Sequence, residues 1–132
     1  MLRNIALGTG LLFVLPSVMT SCEKDLLEPD INNENPLIID LTDPKYSNLV
    51  STGGSLIEAL VIIINTGTGF IALSSICTHR GCTVSFNARN DTLPCPCHGS
   101  LCNLNGAVLK GPSISPLKKF SISQEGDVLT IT

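Results

Sequence analysis

Both histidines and five of the six cysteines of this 132-residue chain fall between positions 77 and 102. They form two groups, Cys77-Thr78-His79-Arg80-Gly81-Cys82 and Cys95-Pro96-Cys97-His98-Gly99-Ser100, with Cys102 just beyond the second. Thiolate and imidazole both bind soft and borderline metals, so the question is which chemistry uses the two together. A structural zinc site takes four tetrahedral ligands, commonly two CxxC-like pairs or a CxxC followed by HxxxH. Neither group contains such a knuckle, and each mixes Cys with His. A scaffold of three disulfides would use all six cysteines and leave the histidines without a task, and Cys95 and Cys97 are too close to bridge each other comfortably. A catalytic Cys–His pair needs one residue of each type and leaves the duplication unexplained. A binuclear iron–sulfur cluster explains it. Two irons each need two protein ligands, and two loops that each offer one thiolate and one imidazole supply them.

At these residues the chain resembles the Rieske family, whose pattern CxHxGC…CxCHGS it meets in full. The resemblance runs from about Pro36 to the C-terminus. It includes Asn105-Gly106 and Gly111-Pro112, the latter similar to the family's proline loop, which closes over the cluster. Two linked motifs of this density are far more specific than a lone short match. The resemblance implies one [2Fe–2S] cluster per chain, with Cys77 and Cys95 on the inner iron and His79 and His98 on the outer, more exposed iron. It also implies a disulfide between Cys82 and Cys97. That bridge belongs to the cytochrome-complex type and to arsenite-oxidase-type small subunits, and low-potential Rieske ferredoxins and oxygenases lack it. Ser100 is implied to donate its hydroxyl to a bridging sulfide and so favour the reduced cluster. Cys102 departs from the pattern, because high-potential members carry a tyrosine there that bonds the sulfur of the first ligand cysteine. A thiol is at best a weak donor. Cys102 is therefore expected to tune the cluster to the middle of the Rieske range, and by itself reads as a small buried hydrophobe.

The elements that must position these loops read as strands. Leu37 to Leu41, Leu60 to Asn65, Phe70 to Ile76, Thr83 to Phe86, Ala107 to Leu109, Leu117 to Ile122 and Val128 to Ile131 are short apolar or β-branched runs separated by turn residues. Thr66-Gly67-Thr68-Gly69 and Glu125-Gly126 sit where hairpin turns belong. Leu56 to Leu60 reads weakly as a helical turn. The expected fold is all-β, an antiparallel β-sandwich carrying a two-loop cluster-binding subdomain.

Residues 1–21 read as a signal peptide, with Arg3 first and an apolar run from Ile5 to Met19. The run is shorter than the roughly 18–20 residues a spanning helix needs, and Pro16 interrupts it. Met19-Thr20-Ser21-Cys22 resembles a bacterial lipoprotein cleavage box, which makes Cys22 the expected lipidation site; an uncleaved membrane anchor is the alternative. Only Arg3 stands in the leader, so no twin-arginine pair is present. Residues 22–35 read as a polar tether and 36–132 as the folded domain, placed outside the cytoplasm where disulfides persist. Residues 22–58 carry two lysines against eight acids, and 77–132 carry five basic residues against three acids. With no basic stripe, nucleic acid is excluded as a partner.

The function implied by the resemblance is one-electron transfer. The expected partner is a quinol-oxidising membrane complex, a cytochrome or a periplasmic catalytic subunit. In the alternative reading the chain is the cluster-bearing small subunit of an oxidoreductase, with catalysis on another chain. A metal-free, disulfide-stapled binding module would instead be colourless. The leader yields one test: Cys22→Ser should release the domain from membranes into the soluble fraction, and mass spectrometry of the wild type should find a lipid on Cys22. A mature chain that retains Met1 would favour the uncleaved anchor.

Overall fold

Val61-Ile62-Ile63-Ile64 shows no alternation of polar and apolar residues, and a strand of that composition has to be covered on both faces. In the computed structural model, which describes residues 28–78, 81–113 and 115–132, all four are buried. They lie in β3 (Val61–Asn65), which pairs antiparallel with β2 (Ser55–Glu58) on one side and β4 (Phe70–Ser74) on the other. Alternate residues of β3 serve two different cores. Val61 and Ile63 join Ala72, Ile39, Leu129 and Ile131 in one cluster; Ile62 and Ile64 join Leu73, Leu93, Cys77, Cys95 and Cys102 in the other. The sheet is thus a wall with the sandwich core behind it and the cysteine loops in front.

The remaining strands close these cores. β1 (Leu37–Asp40), β10 (Val128–Ile131) and β9 (Ile122–Glu125) form one antiparallel sheet in the order β1-β10-β9. β8 (Lys119–Phe120) extends the β2-β3-β4 sheet beyond β4. A third sheet holds β5 (Thr92–Pro94), β6 (Leu101–Asn103) and β7 (Val108–Lys110). A short 3-10 helix (Pro44–Leu49) covers the sandwich core with Tyr46 and Leu49. The architecture is the expected all-β sandwich with a separate loop-bearing sheet.

The expected run Leu117 to Ile122 is two strands in different sheets. Ser121, which exchanges backbone hydrogen bonds with Thr132 at 2.9 and 3.0 Å, is where the chain crosses from one to the other. Thr83 to Phe86 is not a strand. Only Thr83 makes a bridge, to Ile76, because Val84 and Ser85 donate to Ser75 and Pro94 on two different segments. Leu56 to Leu60 is not helical either. It supplies β2 and a two-residue turn in which Ala59 and Leu60 have φ of 49° and 64°. Such a turn favours Asn-Gly, and non-glycine residues at positive φ are disfavoured. The Leu60 carbonyl accepts both the backbone N–H and the hydroxyl of Ser75 at 2.8 Å, which ties this turn to the start of the first cysteine loop.

The expected signal segment and Cys22 lie outside the described residues, as does the first part of the expected tether. The described part, 28–35, does not stand off the domain: Pro29 and Ile31 are buried, and Ile31 belongs to the sandwich core. One isoleucine in a polar stretch has no periodic signal to announce it. Among the described residues no helix is long and apolar enough to cross a membrane. The wall predicts a contrast between neighbours. Ile62→Ala and Ile63→Ala should each lower the unfolding free energy by about 2–5 kcal/mol in urea titrations. Of the two, only Ile62→Ala should speed local amide exchange in the loops 77–82 and 95–100, because Ile62 packs on their side and Ile63 does not.

Candidate metal centre

The two cysteine loops are closed by the same backbone hydrogen bonds. In each, the N–H of the first residue donates to the carbonyl of the sixth: Cys77 to Cys82 at 2.7 Å, and Cys95 to Ser100 at 2.8 Å. The N–H of the fifth residue returns to the first carbonyl, Gly81 to Cys77 at 2.9 Å and Gly99 to Cys95 at 3.0 Å. Both fifth residues have left-handed φ, 74° at Gly81 and 73° at Gly99, which glycine adopts without the Cβ penalty. A Cβ at Gly99 would meet nothing within 4 Å, so the turn itself calls for glycine there. Antiparallel pairing closes the base of each loop, Ile76 with Thr83 and Pro94 with Leu101.

This geometry directs Cys77 and Cys95 inward, where each is 3% exposed, and leaves Cys97 and His98 at the surface. Cys82 and Cys97 form a disulfide with Cα atoms 6.3 Å apart, joining the end of the first loop to the middle of the second. Cys77, Cys95 and Cys102 are outside any disulfide, and all three are buried. His79 lies outside the described residues.

The Cys77 and Cys95 thiols are neighbours in the second core. Burial pushes the Cys95 thiol above its ordinary range and the neighbouring Cys77 adds to this, while the backbone N–H groups of Cys97 and His98 pull the other way. Burial also raises Cys102, with Cys77 and Cys95 contributing as nearby charges. A raised thiol is the opposite of an activated nucleophile, which disfavours a catalytic Cys–His pair. Among the described residues no three His, Cys, Asp or Glu side chains converge. What the pocket offers is two adjacent sulfurs in an apolar surround, with backbone donors aimed at one of them and His98 exposed three residues after Cys95. That donor set fits a cluster whose iron replaces the thiol protons and whose charge the backbone N–H groups help to hold.

A third segment closes over the two loops, and its contacts were not legible in the sequence. After the cis Gly111–Pro112 bond, Ser113 is buried with its hydroxyl 3.1 Å from the Cys77 sulfur. Its N–H donates to the Ser100 hydroxyl oxygen at 3.0 Å, and the Thr78 hydroxyl donates to the Ser115 carbonyl at 2.8 Å. Gly111-Pro112 was the available signal, but a glycine–proline pair does not say which following side chain turns inward. Ser100 is buried, and Cys102 packs between Leu93 and Val108 as a small apolar side chain.

Residues 40–121, more than half of the chain, match the Rieske [2Fe-2S] domain family. The chain belongs to that family, and its cofactor is a [2Fe–2S] cluster. It is 39% identical over 75 residues to the cytochrome b6-f complex iron-sulfur subunit of Chlorobaculum thiosulfatiphilum, covering 57% of this chain and 41% of that protein. It is also 39% identical over 67 residues to the corresponding subunit of Synechococcus sp. (strain JA-3-3Ab), covering 51% of this chain and 39% of the relative. The chain thus spans less than half the length of either relative. The crystal structure of the plasma membrane Rieske protein PetC3 from Synechocystis PCC 6803 superposes with a TM-score of 0.50 at 33% identity, over 55% of this chain and 75% of that one.

The disulfide joins positions 15 residues apart. Closing a loop of that size contributes on the order of 3 kcal/mol in the chain-entropy model. Cys82→Ser and Cys97→Ser should therefore each lower the unfolding free energy by about that amount in urea titrations. The double variant should lose little more than either single one, since both remove the same bond.

Proposed function

We propose that this chain is a one-electron carrier in which Cys77 and Cys95 bind one iron of the cluster, and His79 and His98 bind the other. The observation that carries the reading is the pair of adjacent buried sulfurs, left out of the disulfide, with His98 exposed in the same loop as Cys95. When bound, the cluster takes up and releases one electron at a time. The chain's own residues do the rest. The apolar second core keeps water from the sulfurs. The Cys82–Cys97 bridge holds the two ligand loops in register, so little reorganisation accompanies a change of charge. His98, which is exposed, would put the histidine-bound edge where a partner can approach. Ser100, buried beside the loops, is a hydroxyl donor toward the cluster, and Cys102 is the small apolar neighbour that leaves the potential in mid-range.

The partner in this proposal is a membrane-bound redox complex or a cytochrome, a reading supported by relatives that are named as subunits of cytochrome b6-f complexes. Lipidation at Cys22 would hold the domain at the extracytoplasmic face of the membrane.

Metal analysis of the purified protein tests the assignment. Two irons and two acid-labile sulfides per chain are expected, with a Rieske-type electron paramagnetic resonance signal on reduction. Stoichiometric zinc without sulfide would overturn the reading. His79→Ala and His98→Ala should each abolish or severely alter that signal, and Cys77→Ser and Cys95→Ser should abolish cluster retention or change the signal. An unchanged signal in any of the four removes that residue from the ligand set.

A further inference from the structure

We propose that Ser113 tunes the cluster: its hydroxyl donates a hydrogen bond to the Cys77 sulfur and raises the reduction potential. The inference rests on Cys77 being an iron ligand, as proposed above.

The oxygen and sulfur are 3.1 Å apart, and each residue is only 3% exposed. With a thiol at position 77, either atom could give the proton. A metal-bound cysteine is a thiolate and has no proton to give, so in the loaded protein the Ser113 hydroxyl is the only possible donor of that pair. Burying a hydroxyl without a partner is unfavourable, and this bond is what satisfies it.

The donor is also held in place. Its backbone N–H donates to the Ser100 oxygen at 3.0 Å within the buried region, and two residues on, the Ser115 carbonyl accepts from Thr78 at 2.8 Å. The third segment is therefore fastened to both ligand loops, once beside each proposed ligand cysteine's loop. The Ser113 N–H also occupies a lone pair on Ser100, which leaves the Ser100 proton for another acceptor. Two hydroxyls are thus oriented in sequence, one of them onto a ligand sulfur.

Adding an electron increases the negative charge on the ligand sulfurs. A hydrogen bond to an ionised acceptor strengthens with that charge, so it stabilises the reduced state more than the oxidised one. The effect is on potential rather than on folding, because Ser113→Ala retains the N–H that anchors the segment.

Protein-film voltammetry of the full chain, with iron and sulfide measured in the same samples, tests this. Ser113→Ala should make reduction about tenfold less favourable, a shift of about 59 mV to more negative potential for one electron. Ser113→Thr keeps a hydroxyl and should restore most of it. An unchanged or raised potential in a fully loaded Ser113→Ala protein overturns the proposal. If that variant fails to hold its cluster, Ser113→Cys decides: its weak thiol donor should leave the potential below wild type, and a potential equal to wild type overturns the idea. Failure of the ligand assignment is separately visible as an unchanged spectrum in Cys77→Ser.

Discussion

The sulfurs of Cys77 and Cys95 are buried in one apolar core, and in the proposed centre both must surrender their protons to metal. Burial alone works against this, since it pushes the Cys95 thiol upward and favours the protonated form. The opposing contributions are local and directional: the backbone N–H groups of Cys97 and His98 face the Cys95 sulfur. A loop can aim successive N–H groups at one atom only if its backbone is curled and fixed. The left-handed glycine in each loop provides the curl, and the Cys82–Cys97 bridge prevents the loops from separating.

That arrangement depends on the wall behind it. Because β3 is apolar on both faces, one strand belongs to the sandwich core and to the core under the cysteines. The sandwich can be built from ordinary alternating strands, while the loop-bearing sheet is small, with three strands of three residues each. So small a sheet could not bury its own apolar face unaided. It gains a core by resting on Ile62, Ile64 and Leu73. The disfavoured turn at Ala59 and Leu60 fits the same scheme, since its carbonyl holds Ser75, two residues before Cys77.

The two loops share their closing hydrogen bonds but not a sequence. Cysteine stands first and glycine fifth in both, whereas histidine is third in one (His79) and fourth in the other (His98). The fourth place in the second loop is at the surface. The sixth residue also differs: Cys82 enters the disulfide, while Ser100 turns inward to meet the third segment. One pattern of closing hydrogen bonds used twice, with side chains exchanged, leaves Cys77 and Cys95 buried and His98 exposed.

The chemistry of this protein was legible from residue type and spacing, because a metal centre needs scarce side chains in a small stretch of chain and tolerates few substitutes. Strands with unbroken or β-branched runs, such as Val61–Asn65 and Val128–Ile131, were equally plain. Others were not. β5 and β6 have three residues each, too few for a period to show, and they are strands only because their partners lie alongside. Ser85 donates to Pro94 instead of extending the ladder begun by Thr83, a choice made by a neighbour nine residues further on. Ile31 is in the core because the segment folds back, and Ser113 meets Cys77 across 36 positions because the third segment closes over both loops. The sequence by itself determined which groups could bind metal. Which buried hydroxyl reaches which sulfur was decided only when segments distant in the chain were brought to hydrogen-bonding distance, because such a bond leaves no local pattern.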